Sequence, residues 1–367
     1  MTEKDIKAIE RIKAEIEKID KKESKICFFV LDTKGVPSGS LEYIYKLAFI
    51  LNEDGYDVNM LYQTEKDEKF VGVGEWLYGK YAALKHFNIN DEFEISPSDV
   101  LFIPEIFANV MNQTKKLPCK RVAILQNFDY LVEQTPYAAQ WGDFGIIDAI
   151  VNTKVNEELL KDVFPYVKTH IVPPYVGDEF TKQIEPKKLI VNVVSKNQTD
   201  INKIIKPFYW KYPTFKWVSF RDLRNFSKEN FAKALREGIA TIWVDEDTNF
   251  GYSAIEAMKS GSIVIAKVPK ERVEWAYDEN GNLKNCCVWF NDFNNVQKQL
   301  ASVIRSYITD AVPQIIYTEG KKCPENYTED KTKTAILETV KTILERRKGD
   351  MEQLIINIEK NGDKENA

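Results

Sequence analysis

Thr241-Ile242-Trp243-Val244-Asp245-Glu246-Asp247-Thr248-Asn249-Phe250-Gly251-Tyr252-Ser253-Ala254-Ile255-Glu256-Ala257-Met258-Lys259-Ser260-Gly261-Ser262-Ile263-Val264-Ile265-Ala266 is the stretch that decides the fold of this chain. It reads as a buried strand, an acidic loop, a glycine, a short helix and a second buried strand. Gly251 lets the backbone approach a ligand closely, and a helix opening at Tyr252 or Ser253 leaves its first N–H groups without intrahelical partners. Such a terminus suits a diphosphate. Glu256, about one turn inside, is placed to accept hydrogen bonds from vicinal hydroxyls, which a ribose presents. Gly261 closes the helix, and Ile263 to Ala266 return as the fully apolar strand that a parallel sheet buries on both faces.

Working outward, the same alternation recurs on both sides. Ile26 to Leu31 is a compact apolar strand, followed by a glycine-bearing loop from Asp32 to Ser40, a helix from Leu41 to Leu51 and a strand from Val58 to Tyr62. That is a βαβ unit. Further strands are expected at Val100 to Ile103, Val122 to Leu125 and Ile147 to Val151, then, beyond Pro173-Pro174, at Leu189 to Val194, Lys216 to Phe220 and Ala240 to Val244. The expected class is α/β, with two Rossmann-like doubly wound domains facing across a cleft. The expected boundaries are a charged helix at 1–24, a first domain at 25–170, a second at 171–318, and a helical segment with a tail at 319–367, in which Asp330 to Arg347 is helical and Asn361 to Ala367 frays. In the first segment Ile9, Ile12, Ile16 and Ile19 form a narrow seam, read as docked on its own domain, with self-association as the alternative.

Phe250-Gly251, Glu256-Ala257-Met258, Gly261 and the strand after it resemble the donor-site motif of family 4 glycosyltransferases of the GT-B fold. The resemblance is long and ordered here and weaker over the rest of residues 25–347. It implies transfer of a sugar from a nucleoside diphosphate sugar, UDP- or GDP-linked, to an acceptor hydroxyl with retention of configuration, with no permanently bound cofactor and no metal. It also implies donor-site roles for Asn249, Phe250, Gly251, Tyr252, Ser253 and Glu256. Gly39 and Ser40 stand where the family has its glycine-rich loop. Ser195-Lys196 end a strand where the family has a Gly-Arg pair that neutralises the diphosphate, and Lys203 is the candidate for the lysine that follows. Phe220 and Arg221 fall where the family lines the nucleotide base. Catalytic roles fall on Lys196, Glu256, the Thr248 position and Asp129. The family's first glutamate, eight residues before Glu256, is Thr248 here, with Asp245, Glu246 and Asp247 as the acids that a loop shift would bring in. Asp129 belongs to a loop, Gln126 to Tyr130, where the family touches the donor sugar; an Asn- and Asp-capped turn is the plainer reading of those residues.

Composition sets the outer limits. The 367 residues, 44% hydrophobic, exceed what a single core usually organises. With 51 Lys and Arg against 56 Asp and Glu, net charge -5, no bulk field points to nucleic acid, although residues 187–236 hold twelve bases against three acids. Solvated helix faces are the ordinary explanation, an anionic acceptor the other. A hydroxylated base in phage-type DNA thus stays open beside glycan, protein and small-molecule acceptors. Five scattered cysteines fit a reducing compartment, and the first 24 residues, with seven acids and seven bases, do not read as a secretory signal. Cytoplasmic placement is expected, peripheral attachment at an inner membrane face being left open. Two histidines are too few for a His-based metal site or a triad. An epimerase or phosphorylase on the same fold, or a silent nucleotide-binding module, are the competing readings.

Overall fold

The computed structural model describes residues 1–64, 68–91, 93–181, 186–245 and 250–364, with side chains to residue 360. Apolar runs that resist exposure on either face become the central strands of two parallel sheets. The first domain runs α1 (Glu3–Asp20), β1 (Lys25–Phe29), α2 (Gly39–Glu53), β2 (Asp57–Tyr62), α3 (Gly79–Ala82), β3 (Lys85–Asn88), β4 (Val100–Pro104) and α4 (Ala108–Gln113). It continues with β5 (Lys120–Leu125), α5 (Phe128–Gln134), β6 (Asp148–Val151), α6 (Lys154–Val163) and β7 (Lys168–Ile171). The second domain holds β8 (Lys188–Val194), α7 (Gln198–Lys211), β9 (Ser219–Asp222), α8 (Lys228–Glu237), β10 (Gly238–Trp243), α9 (Tyr252–Lys259) and β11 (Ile263–Lys267). After these come β12 (Val288–Phe290), α10 (Phe293–Ile308), α11 (Gln314–Lys322) and α12 (Glu329–Lys364).

Strand order is β3-β2-β1-β4-β5-β6-β7 in the seven-stranded sheet and β12-β11-β10-β8-β9 in the five-stranded one, with every pairing parallel. Each order reverses once, between β1 and β4 and between β8 and β10. Ligands of doubly wound sheets sit at the carboxyl ends of the strands at that reversal. The loops after β1, β8 and β10 are therefore the ones to inspect.

Two expectations shift, and a third reading, the docked α1, meets its partner. The strand expected at Lys216 to Phe220 starts at Ser219, because Pro213–Phe215 form a 3-10 turn and Trp217 stands in solvent rather than in the sheet. The tail expected to fray from Asn361 is helical through Lys364, the last three residues lying outside the described ones. The α1 seam is covered by its own chain: Ile9 and Ile19 are buried, and Ile12, Ile16 and Ile19 pack into the first domain's core, with α12 alongside. That core also takes Ile336, Val340, Ile343 and Leu344 from α12, so the end of the chain returns to the domain in which it began. Among the described residues no helix is long and apolar enough to cross a membrane.

The return is fastened electrostatically. Asp148, fully buried at the start of β6, receives Lys120 at 2.7 Å, the His170 ring at 3.4 Å and the guanidinium of Arg346 on α12. Burial alone would raise this carboxyl, but His170, Lys120 and Arg346 hold it well below the usual carboxylate range.

Candidate active site

The two sheet reversals meet across one cavity of about 380 Å³. From the first domain it is lined by Val36 to Gly39, Glu42 and Trp76; from the second by Ser195, Lys196, Arg224, Lys228, Asp245, Tyr252, Ser253 and Glu256, among others. Its size is that of a small-molecule site.

Two helix N-termini converge on it. Ser38 caps α2, its hydroxyl accepting from Leu41 N, and α9 opens directly after Gly251 with no side-chain cap, leaving its first N–H groups for a ligand. Gly251 has φ 76°, and a Cβ there would stand 3.0 Å from Trp243 and 3.1 Å from Trp275, so only glycine fits both the turn and the space. The two termini are close: a Cβ on Gly39 would lie 3.5 Å from the Tyr252 ring. Lys196 leaves the end of β8 with its N–H donating to Asp245 Oδ1 at 3.0 Å, which ties the loops after β8 and β10 together. The rim therefore combines oriented N–H groups with the cation of Lys196 and the guanidinium of Arg224, the latter paired with Asp222 at 2.6 Å.

Glu256 sits one turn below, 1% exposed. It pairs with Lys228, and Lys228 also reaches Glu42 Oε2 at 2.6 Å across the cleft. Burial would raise Glu42, yet the ammoniums of Lys228 and Lys46 outweigh it and bring that carboxyl down to about 2. Burial raises Glu256, with the Glu42 charge adding and Lys228 opposing.

The structure thus brings together Gly39, Ser195, Lys196, Tyr252, Ser253 and Glu256. Ser40 is adjacent, its carbonyl taken by Gln126 Nε2 at 3.1 Å. Phe250 is a buried wall behind Tyr252, ring centroids 4.8 Å apart. Four candidates stand elsewhere. Lys203 faces outward on α7, paired with Asp200 at 3.3 Å, because one turn of helix carries it away from the strand end. Phe220 is packed against Phe208 and Tyr209, and Arg221 is paired with Glu237 at 3.0 Å; β9 sends the two to opposite faces of the sheet, neither of which opens into the cavity. Asp129 is an exposed residue in the first turn of α5, its N–H donating to Asn127 Oδ1, and does not line the cavity. Thr248 and Asn249, with Glu246 and Asp247, lie outside the described residues.

Sequence reasoning missed Glu42, Trp76, Arg224 and Lys228. Arg224 had a usable signal, as it follows a strand end by two residues on the ligand-binding edge of the sheet. For Lys228 there was none, a lysine opening an amphipathic helix being normally solvated. Among the described residues no three His, Cys, Asp or Glu side chains form a metal-ligand group.

Comparison with known structures decides the architecture. Sucrose-phosphate synthase from Thermosynechococcus elongatus superimposes with a TM-score of 0.61 at 12% identity over 88% of this chain and 100% of that one. Anabaena Alr3699/HepE, solved in complex with UDP-glucose, gives 0.59 at 12% identity over 87% and 99%. The catalytic domain of starch synthase IV from Arabidopsis thaliana, bound to ADP and acarbose, gives 0.53 at 10% over 89% and 98%. The chain has the GT-B fold. In sequence, the GT-B chain is 22% identical over 201 residues to an alpha-1,6-glucosyltransferase of Actinobacillus pleuropneumoniae serotype 7 (strain AP76), a match that takes in 52% of this chain and 59% of that relative. The GT-B chain thus spans little more than half of that relative's length. No family model matches it.

The GT-B cleft is buttressed by a carboxyl that titrates near neutrality. Glu105, buried after β4, accepts from Gln126 N at 3.1 Å and Asn127 N at 2.8 Å, fixing the loop that reaches Ser40. Burial pushes its carboxyl up to about 7, against the pull of those N–H groups. An acid whose folded-state value is raised stabilises most below its unfolded value and loses that contribution as pH rises through the folded one. Glu105→Gln keeps an oxygen for both N–H groups and cannot ionise. Unfolding by urea should therefore show the unaltered chain losing on the order of 3 kcal/mol relative to Glu105→Gln between pH 4.5 and 7.5; parallel curves would contradict the assignment.

Proposed function

We propose that this chain is a glycosyltransferase that moves a sugar from a UDP-linked donor to an acceptor hydroxyl. The observation that carries the reading is the joint presence, in one interdomain cavity, of an uncapped helix N-terminus at Tyr252 and Ser253, flanking cations and a buried carboxylate one turn below. Pyrophosphate belongs at the first, ribose at the last, as the resemblance to family 4 at Phe250-Gly251 and Glu256-Ala257-Met258 also implies. The UDP-glucose complex of the Anabaena structure supports UDP over GDP.

In the proposed step the bond from the sugar's anomeric carbon to the β-phosphate oxygen breaks while a bond to the acceptor oxygen forms on the same face. The acceptor proton passes to the leaving phosphate. Negative charge grows on that phosphate, so the N–H groups of α9 with Lys196 and Arg224 stabilise the transition state more than the ground state. Departure and attack on one face retain configuration, and no histidine base is required.

Release of nucleoside diphosphate from a panel of UDP-, GDP- and ADP-sugars, with and without hydroxylated acceptors, tests the reading. Acceptor-dependent UDP release is expected. Release indifferent to acceptor would favour hydrolysis, conversion of the donor sugar to its epimer without release an epimerase, and tight binding with neither a silent module.

A further inference from the structure

Four ionisable side chains form one row across the cleft, and the donor-site motif accounts for only the last. Lys46 and Glu42, one turn apart on α2, lie 2.7 Å from each other; Lys228 of α8 lies 2.6 Å from the second oxygen of Glu42 and pairs in turn with Glu256 of α9. Their side chains are 3%, 3%, 10% and 1% exposed in that order. The backbone N–H of Lys228 also donates to the Trp76 carbonyl of the first domain at 2.7 Å. One residue of the second domain is thus fastened to the first through both its main chain and its side chain.

Burying a charge is costly unless opposite charges and hydrogen bonds compensate. The row meets that condition by alternating sign, each ion pairing with its opposite. Without the Lys228 ammonium, Glu42 and Glu256 would share a low-dielectric space with Lys46 alone, and two carboxylates so placed do not both stay ionised. Glu42 keeps Lys46 in contact, so Glu256 is the one that takes the proton.

We propose that Lys228 is a positioning residue for the donor: it engages one oxygen of Glu256, keeping that group a carboxylate and leaving the other oxygen for the ribose hydroxyls. Its second bond, to Glu42, makes this arrangement depend on contact between the domains, so that donor binding and cleft closure favour each other. The inference rests on the donor-site reading above. The charged groups facing Glu256 are Lys228, Glu42 and Lys46, and the hydroxyls of Tyr252 and Tyr78, which also sense it, are pushed up by burial and stay neutral across the range that matters.

Calorimetric titration of the full chain with UDP from pH 4.5 to 9 tests this, comparing the unaltered protein with Lys228→Met, Lys228→Arg and Glu42→Gln. UDP's own titration is common to all four. Lys228→Met should bind about tenfold or more weakly near pH 6.5 and recover as pH rises and Glu256 ionises. Lys228→Arg should stay within about threefold of the unaltered chain. Glu42→Gln removes the like charge, so binding should persist to lower pH, and this holds the test open if Lys228→Met does not fold. Equal pH profiles in Lys228→Met and the unaltered chain, or in Glu42→Gln and the unaltered chain if the first variant cannot be made, overturn the inference alone. Failure of the unaltered chain to bind UDP at any pH overturns the donor-site reading beneath it.

Discussion

Glu256→Ala is expected to raise the Kd for UDP by about 30- to 150-fold, a loss of about 2 to 3 kcal/mol. The size follows from the type of bond. A carboxylate accepting from ribose hydroxyls makes charge-assisted hydrogen bonds, stronger than neutral ones, and at 1% exposure the group is largely withdrawn from solvent. Among the described residues truncation also leaves Lys228 with Glu42 as its paired acid, so part of the loss reaches the ligand through a disturbed cleft. Glu256→Gln, which keeps an acceptor and the shape, should lose about tenfold. Circular dichroism on both variants separates a vacated ribose site from a collapsed domain. Unchanged UDP affinity in a folded Glu256→Ala chain would refute the site.

The second large effect is on stability. Asp148→Ala is expected to cost about 3 kcal/mol, the lower end for removing one member of a buried ionic cluster, because Arg346 and Lys120 keep some contact with solvent. Lys120, His170 and Arg346 would be left facing one another around an apolar methyl. The sign of the pH dependence follows from the depressed folded-state value: the contribution is present above the unfolded carboxylate's range and is lost as pH falls through and below it. Asp148→Asn should flatten that acid limb. Because Arg346 belongs to α12, hydrogen exchange in Glu329–Lys364 should quicken in Asp148→Ala. Unfolding curves that superimpose on those of the unaltered chain would contradict the role.

Why the centre of this fold was legible and its margins were not can be traced to particular residues. Strands β1, β4, β5, β8, β10 and β11 are apolar on both faces because helices cover both, and a continuous run such as Ile263 to Ile265 has few other places to go. Edge strands lack that constraint. Lys85-His86-Phe87-Asn88 and Lys168-Thr169-His170-Ile171 are mixed and only partly buried, and nothing local marks them as strands until a neighbour pairs with them. β9 was misplaced by its aromatics: Phe215 packs in the core from a 3-10 turn, while Trp217, two residues on, points to water.

The site divides the same way. Gly251, Tyr252, Ser253 and Glu256 form a local grammar of turn, helix start and first turn, readable without knowing what lies opposite. Gly39 and Lys196 were reached only through the family resemblance, which marks the loops after β1 and β8. Lys203 failed because a helix turn, unlike a strand end, gives no assurance of facing the cleft. Glu42, Lys46 and Lys228 could not be found at all from the chain, since their meaning lies in contacts between residues 186 positions apart.

The measurement that bears most directly on this account is a crystal structure of the chain with UDP. The pyrophosphate should lie against the N–H groups of Tyr252 and Ser253, opposite Gly39 and within reach of Lys196 and Arg224, with the ribose hydroxyls on Glu256. Nucleotide density outside the cavity between the two sheets, or a ribose turned away from Glu256, would contradict it.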